Sequence, residues 1–159
     1  MRTASKAAAA AALAAAIAAA TGIIKPWEGR SLTPYYDIVG VLTWCDGQTV
    51  GSPKPRYTHE ECDAMLARSV ALYEAQIRPC LPPDLPVQTR AAFVSTAYNI
   101  GTTAFCRSSM SRRALAGDLR GACDALMMWT KAGGRVVRGL VNRRTAEREL
   151  CISGIKKGS

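Results

Sequence analysis

The stretch WEGRSLTPYYDIVGVLTWCDG, Trp27 to Gly47, sets two carboxylic acids and a hydroxyl at fixed separations: Glu28, Asp37 nine positions on, and Thr43 six further. Two carboxylates in one site can divide the breaking of a glycosidic bond. One protonates the leaving oxygen, and the other activates water or attacks the sugar. Each residue also has an ordinary explanation: Glu28 as a solvated helix end, Asp37 as a turn residue bonding its own backbone, Thr43 as a plain strand position. Spacing alone does not choose, so the elements that would hold these side chains have to.

Gly29, Pro34, Gly40 and Gly47 punctuate short runs such as YYDIVGVLTW, whose β-branched and aromatic residues predict small strands joined by turns. SPKPRY reads as a loop, and Thr58 with Glu61 three positions later forms a capping box that opens a helix. The apolar side of that helix runs Cys62, Met65, Leu66, Val70, Tyr73, Ile77. PCLPPDLP breaks the chain, since four prolines in eight residues cannot continue a helix. A helix is expected from Val87, with Ala91, Val94, Ala97, Tyr98 and Phe105 near helical spacing and an interruption at Asn99 to Gly101. Another is expected over about Ser111 to Trp129 with a weak point at Gly117, and Met127, Met128 and Trp129 read as core. KAGGRVVRG reads as a turn or irregular link, and LVNRRTAERELC as a closing amphipathic helix. His59 reads as solvated and takes no catalytic role. The fold class is α+β, mainly helical: a small β-hairpin lobe over about 25–57 leading into a helical lobe over about 58–159.

A chain of 159 residues suffices for one domain with a sizeable core. With 21 Lys+Arg against 12 Asp+Glu, its +9 charge favours anionic partners: nucleic acid, membrane lipid or an acidic cell-wall polymer. Few aromatics are interleaved with the basic stretches, so the stacking platform of a single-strand binder is missing, and nucleic acid is not expected. Six cysteines, Cys45, Cys62, Cys80, Cys106, Cys123 and Cys151, are scattered without a C-x-x-C spacing beside a single histidine. That argues against zinc and for three disulfides in an oxidising compartment, the alternative being six buried thiols. The spacing selects no pairing. Neither a metal nor a cofactor is expected.

Twelve of the fourteen residues from Ala7 to Ala20 are alanine, and no charge occurs between Lys6 and Lys25. The segment is close to the length a helix needs to cross a bilayer core. Leu13, Ile17, Ile23 and Ile24 each contribute only about −0.3 to −0.6 kcal/mol on an insertion scale, so retention is marginal. Arg2 and Lys6 before it predict a cytoplasmic N-terminus with the remainder outside. Residues 1–24 are thus read as a weak signal-anchor, with a signal peptide cleaved after Ala20 and a soluble alanine helix as alternatives.

WEGRSLTPYYDIVGVLTWCDGQT resembles the active-site segment of phage lysozymes of the T4 type, glycoside hydrolase family 24, in which E-G ends a first helix and D followed by G-x-x-T lies on the adjoining hairpin. AAFVSTAYNIGTTAF resembles that family's A-L-x-x-x-x-F-N-x-G helix. WTKAGGRVVRGLVNRRTAEREL resembles its W-x-x-A-G-G…G-L-x-x-R-R-x-x-E ending. The three motifs span about Pro26 to Cys151. With the alanine segment they are similar to signal-anchor-release endolysins, which are held inactive at the inner membrane until the segment leaves the bilayer.

The resemblance implies a two-lobed lysozyme fold, a monomer acting on peptidoglycan in the periplasm, and cleavage between N-acetylmuramic acid and N-acetylglucosamine with inversion. It makes Glu28 the general acid, Asp37 the base or electrostatic partner and Thr43 the hydroxyl that helps place water. Arg143, with Arg144 as fallback, is set against Glu28 to orient it, a surface salt bridge being the plainer reading. Gln48, Tyr98, Asn99 and Gly101 would line the saccharide groove, although a core helix also explains Tyr98. Gln48 stands where the family usually has histidine, and Asp46 where it often has an aromatic or aliphatic residue. The enzymatic alternative is a lytic transglycosylase on the same bond. The non-enzymatic one is a cationic protein that disrupts membranes.

Overall fold

The computed structural model describes residues 5–157. Arg2, one of the two cations read as setting the topology, lies outside the described residues. Helix α1, Lys6–Ile24, forms because alanine favours helix above every other residue, and it starts where Ser5 Oγ accepts the Ala8 N–H at 3.2 Å. Ala16, Ala20 and Ile24, four residues apart, make one buried face. That face packs on the helical lobe, and Ala20 and Ile24 join its main core. The segment is long and apolar enough to cross a bilayer, yet its C-terminal half is docked on protein here. A 3-10 turn, Lys25–Trp27, with Pro26 inside it, follows and delivers Glu28 in extended conformation.

Strands β1, Ser31–Tyr36, and β2, Leu42–Cys45, pair antiparallel, with Tyr35 opposite Thr43 and Tyr36 opposite Leu42. The register shifts between Ser31 and Tyr35, around Pro34, which has no N–H for the ladder. Trp44, Cys45, Tyr57 and Cys62 form a small core beneath this hairpin.

Helix α2, His59–Ile77, opens with the capping box read from the sequence: Thr58 Oγ1 accepts from Glu61 N at 3.1 Å, and Glu61 Oε2 from Thr58 N at 2.9 Å. Its buried face holds Cys62, Leu66, Val70 and Ile77, but also Glu74, which is paired with Arg78 and with Arg90 at 3.0 Å. Helix α3, Val87–Ile100, is buried from Thr89 to Ala97 and forms the axis of the lobe. Gly101, at φ +91°, separates it from the short α4, Thr102–Cys106.

The single helix expected over Ser111 to Trp129 is instead two, α5, Ser109–Leu115, and α6, Leu119–Asp124, followed by a 3-10 turn, Ala125–Met128. Gly117 at φ +85° ends the first, and Asp118 caps the second by accepting from Gly121 N at 2.8 Å. Met128 is 69% exposed, contrary to its reading as core, because it closes that turn on the solvent side, while Met127 and Trp129 are partly buried. The KAGGRVV link is a small hairpin of β3, Lys131–Ala132, and β4, Arg135–Val136, turned by Gly133 and Gly134 at positive φ. Helix α7, Arg138–Lys157, lies along α3.

All six cysteines are paired: Cys45–Cys62 joins the hairpin to α2, Cys80–Cys106 the α2 exit to α4, and Cys123–Cys151 α6 to α7. At Gly154 α7 comes so close to α3 that an added Cβ would stand 2.5 Å from Thr89 Oγ1 and 2.8 Å from Thr89 N. The hydroxyl can rotate, but the backbone nitrogen cannot. Gly154→Ala should therefore destabilise by about 1–3 kcal/mol despite alanine's better helix propensity. The readout is a lower urea midpoint with unchanged slope; an unchanged midpoint would mean that the helices separate without cost.

Candidate active site

Glu28 leaves the 3-10 turn with its side chain 24% exposed, and its Oε1 accepts from Arg143 Nη1 at 3.0 Å. Arg143, 5% exposed, is no surface partner. Its Nε donates to Glu147 Oε1 at 3.2 Å and its Nη2 to the Ser95 carbonyl at 3.4 Å. Glu147 is fully buried and also accepts from Ser95 Oγ at 2.6 Å, Thr96 Oγ1 at 3.0 Å and Arg144 Nη1. Arg144 donates further to the Trp129 carbonyl at 3.1 Å and to Asn99 Oδ1. Burial holds the Arg144 guanidinium below its ordinary pKa, and the charge of Glu147 opposes that shift.

This network follows from helical spacing. Arg143, Glu147 and Cys151 fall four residues apart on the buried stripe of α7, with Arg144 beside them, and α3 presents Ser95, Thr96 and Asn99 across the interface. Two arginines and two carboxylates balance, so the buried charges compensate one another. The sequence expectation that Arg143 faces Glu28 agrees with this geometry, and the fallback Arg144 goes to Asn99 instead.

On the hairpin, Asp37 Oδ1 accepts from Val39 N at 3.0 Å and Val41 N at 2.8 Å, while Gly40 N donates to the Asp37 carbonyl at 3.0 Å. Asp37 is thus the turn residue that the ordinary reading describes, but its Oδ2 takes no protein donor among the described residues. Thr43, 5% exposed, donates from Oγ1 to the Val41 carbonyl at 3.0 Å. Asp37 pairs with Val41 and Tyr35 with Thr43, so Asp37 and Thr43 sit on one face of the hairpin.

Tyr98 is half-buried, stacks obliquely on Tyr73 at 4.9 Å between ring centres, and donates from its hydroxyl to the Asp46 carbonyl at 3.2 Å. Burial pushes its phenol up to about 12, and the nearby Glu28 carboxylate adds to the shift. Asn99 is exposed and spends Oδ1 on Arg144, and Gly101 ends α3. Gln48 Nε2 donates to Ser69 Oγ on α2 at 2.9 Å. Glu28, Arg143, Tyr98 and Asn99 thus belong to one connected cluster, Asp37 and Thr43 share the hairpin, and Gln48 is tied to α2.

Three residues given no role at the sequence level complete the surroundings. Glu147 was within reach: it is the final E of the R-R-x-x-E ending, four positions from both Arg143 and Cys151. Asp46, 1% exposed, accepts from Arg30 Nε at 3.0 Å and Arg30 Nη2 at 2.6 Å. That pairing spans 16 residues and no local pattern announces it. Arg30 also donates to the His59 carbonyl at 3.2 Å and pairs with Asp63 at 2.7 Å. The His59 ring is exposed, with Nδ1 3.5 Å from Arg30 Nη1. Among the described residues no group of three or more metal-ligating side chains converges.

The sequence model of the family described as "Phage lysozyme" matches residues 25–147. A SAR-endolysin of Bacteriophage PS119 is 43% identical over 129 residues, covering 80% of this chain and 77% of the relative. The active form of the P1 phage endolysin Lyz superposes with a TM-score of 0.77 at 26% identity, covering 93% of this chain and 95% of that one. The secreted inactive form of the same P1 endolysin gives 0.53 at 26% identity, over 65% and 74%.

Glu147→Gln leaves the buried arginines short of a charge and should cost about 3–5 kcal/mol in urea unfolding; a loss below about 1 kcal/mol would make the network dispensable. The raised Tyr98 pKa predicts an alkaline effect of definite sign. From pH 10 to 12 the unfolded phenol ionises ahead of the folded one, so stability falls across that window and is unaffected below it. Absorbance titration should reveal a tyrosine ionising near pH 12 that Tyr98→Phe removes.

Proposed function

The chain belongs to the phage lysozyme family, a family of glycoside hydrolases, and we propose that it is an exported endolysin that cleaves the β-1,4 bond between N-acetylmuramic acid and N-acetylglucosamine in peptidoglycan, lysing the host cell. The main support is the placement of Glu28, whose Oε1 is held by a buried arginine while the side chain stays partly open.

In this reading Glu28 is the general acid. Arg143 occupies Oε1, which leaves Oε2 to carry the proton to the glycosidic oxygen. As the bond breaks, positive charge develops at the sugar carbon, and water attacks from the opposite face. Asp37 takes a proton from that water on Oδ2, the oxygen its turn does not use. Thr43 gives its own hydroxyl hydrogen to the Val41 carbonyl, so its oxygen is left to accept from the same water. Water on the far face gives inversion, for which carboxyl groups stand about 6.5–9.5 Å apart. Tyr98, Asn99 and Gly101 form the wall for the sugar rings. Gln48, bonded to Ser69, has no substrate contact assigned.

Residues 1–24 act as a weak anchor that holds the enzyme on the periplasmic face of the inner membrane and then leaves the bilayer to dock as α1. Two observations support this: a helix able to span a membrane carries a face that fits the lobe, and the likeness is greater to the active than to the secreted inactive P1 endolysin. The released enzyme works as a monomer. Glu28→Gln should lower turnover of purified peptidoglycan at least about 100-fold, and Asp37→Ala should do likewise. The products should end in reducing sugars. Anhydro ends with an active Asp37→Ala variant would favour a transglycosylase, and full lysis by Glu28→Gln a membrane disruptor.

A further inference from the structure

Arg30 lies two residues after Glu28, and Asp46 three after Thr43, so their ion pair joins the two segments that bring the reactive groups. We propose that the Arg30–Asp46 pair is a positioning brace for the glycosidic reaction, fixing Glu28 relative to the hairpin that carries Asp37 and Thr43 without touching substrate. The inference rests on the hydrolytic reading above.

Five features support it. Asp46 is 1% exposed and its side chain is fully covered, so it reaches no glycan. Its two oxygens take Arg30 Nε at 3.0 Å and Nη2 at 2.6 Å, a two-point grip that fixes orientation as well as distance. Its carbonyl receives the Tyr98 hydroxyl at 3.2 Å, which fastens the same residue to α3 beside Glu28. Cys45, immediately before it, holds φ +52°, left-handed backbone that a side-chain-bearing residue seldom adopts, and is tied to α2 through Cys62. Arg30 is steadied in turn by the His59 carbonyl and Asp63, and Asp63 by Lys25 at 2.9 Å. The brace thus runs from the turn before Glu28 to the far end of β2.

A displacement of about 1 Å between reacting groups can cost about 100-fold in rate, so loosening such a brace should appear in kcat. The test measures kcat and KM on soluble glycan oligomers for Asp46→Asn, Arg30→Gln, Arg30→Lys and the Arg30→Gln/Asp46→Asn double variant. Each is normalised to its folded fraction at 25 °C. The expected result is a kcat loss of about tenfold in the first two, with KM within about twofold. Arg30→Lys keeps the charge but not the two-point grip, so it should fall between them and the parent. It also supplies the answer should a neutralised variant fail to fold. The double variant should be no worse than the poorer single one, because a brace can be removed only once.

Parental kcat with merely lower melting temperatures would overturn the inference and leave the pair a stability element. A raised KM at constant kcat would overturn it in favour of substrate contact, and multiplying losses in favour of two unrelated roles. Glu28→Gln is run alongside. If that variant retains full activity, the hydrolytic reading falls and the brace with it; if it is inactive while every brace variant matches the parent, only the brace falls.

Discussion

The molecule is organised around one guanidinium. Arg143 holds Glu28 on one side and Glu147 on the other, so a partly open carboxylate near the start of the domain is tethered to a fully buried one on its last helix. Such a charge is tolerable only if every neighbour is satisfied, and here Ser95, Thr96 and Arg144 supply the remaining donors to Glu147. The close run of α7 along α3, permitted by Gly154, brings Ser95 and Thr96 within reach, while Cys123–Cys151 ties α7 to α6. The core geometry of the helical lobe and the orientation of one acid are therefore a single constraint.

A second set of bonds closes the circle through the small lobe. From Glu28 the chain leads to Arg30, then to Asp46, whose carbonyl takes the Tyr98 hydroxyl on α3. Tyr98 follows Ser95 and Thr96 on the same helix. The ring therefore passes through the β-hairpin, α3 and α7, and its members act as one body only if both lobes are in place. The hairpin held by this support exposes Tyr36, Ile38 and Val39 at its tip, where Asp37 opens the turn.

Much of this was legible in the sequence, for identifiable reasons. The α2 capping box, the break at Gly101 and the small strand-bearing lobe are local signals, written in residues that neighbour one another. Arg143 facing Glu28, which the sequence implied only through resemblance, is a contact across 115 residues and has no local signature. The helix expected over Ser111 to Trp129 failed because Gly117 takes a left-handed backbone and Asp118 offers a fresh cap, which together outweigh continuous helical propensity. Met128 is exposed where helical spacing implies core, because a 3-10 turn changes the direction in which it points. Arg30–Asp46 stayed hidden because an aspartate next to a glycine reads as a turn. Only the folded chain reveals that it is buried against an arginine.

The bond from Arg143 to Glu28 joins residues 115 apart, and its later partner, on α7, leaves the ribosome long after the acid does. A nascent polypeptide halted anywhere ahead of α7 carries Glu28 without its Arg143 partner. The contact between the two thus forms in one step, when α7 settles beside α3.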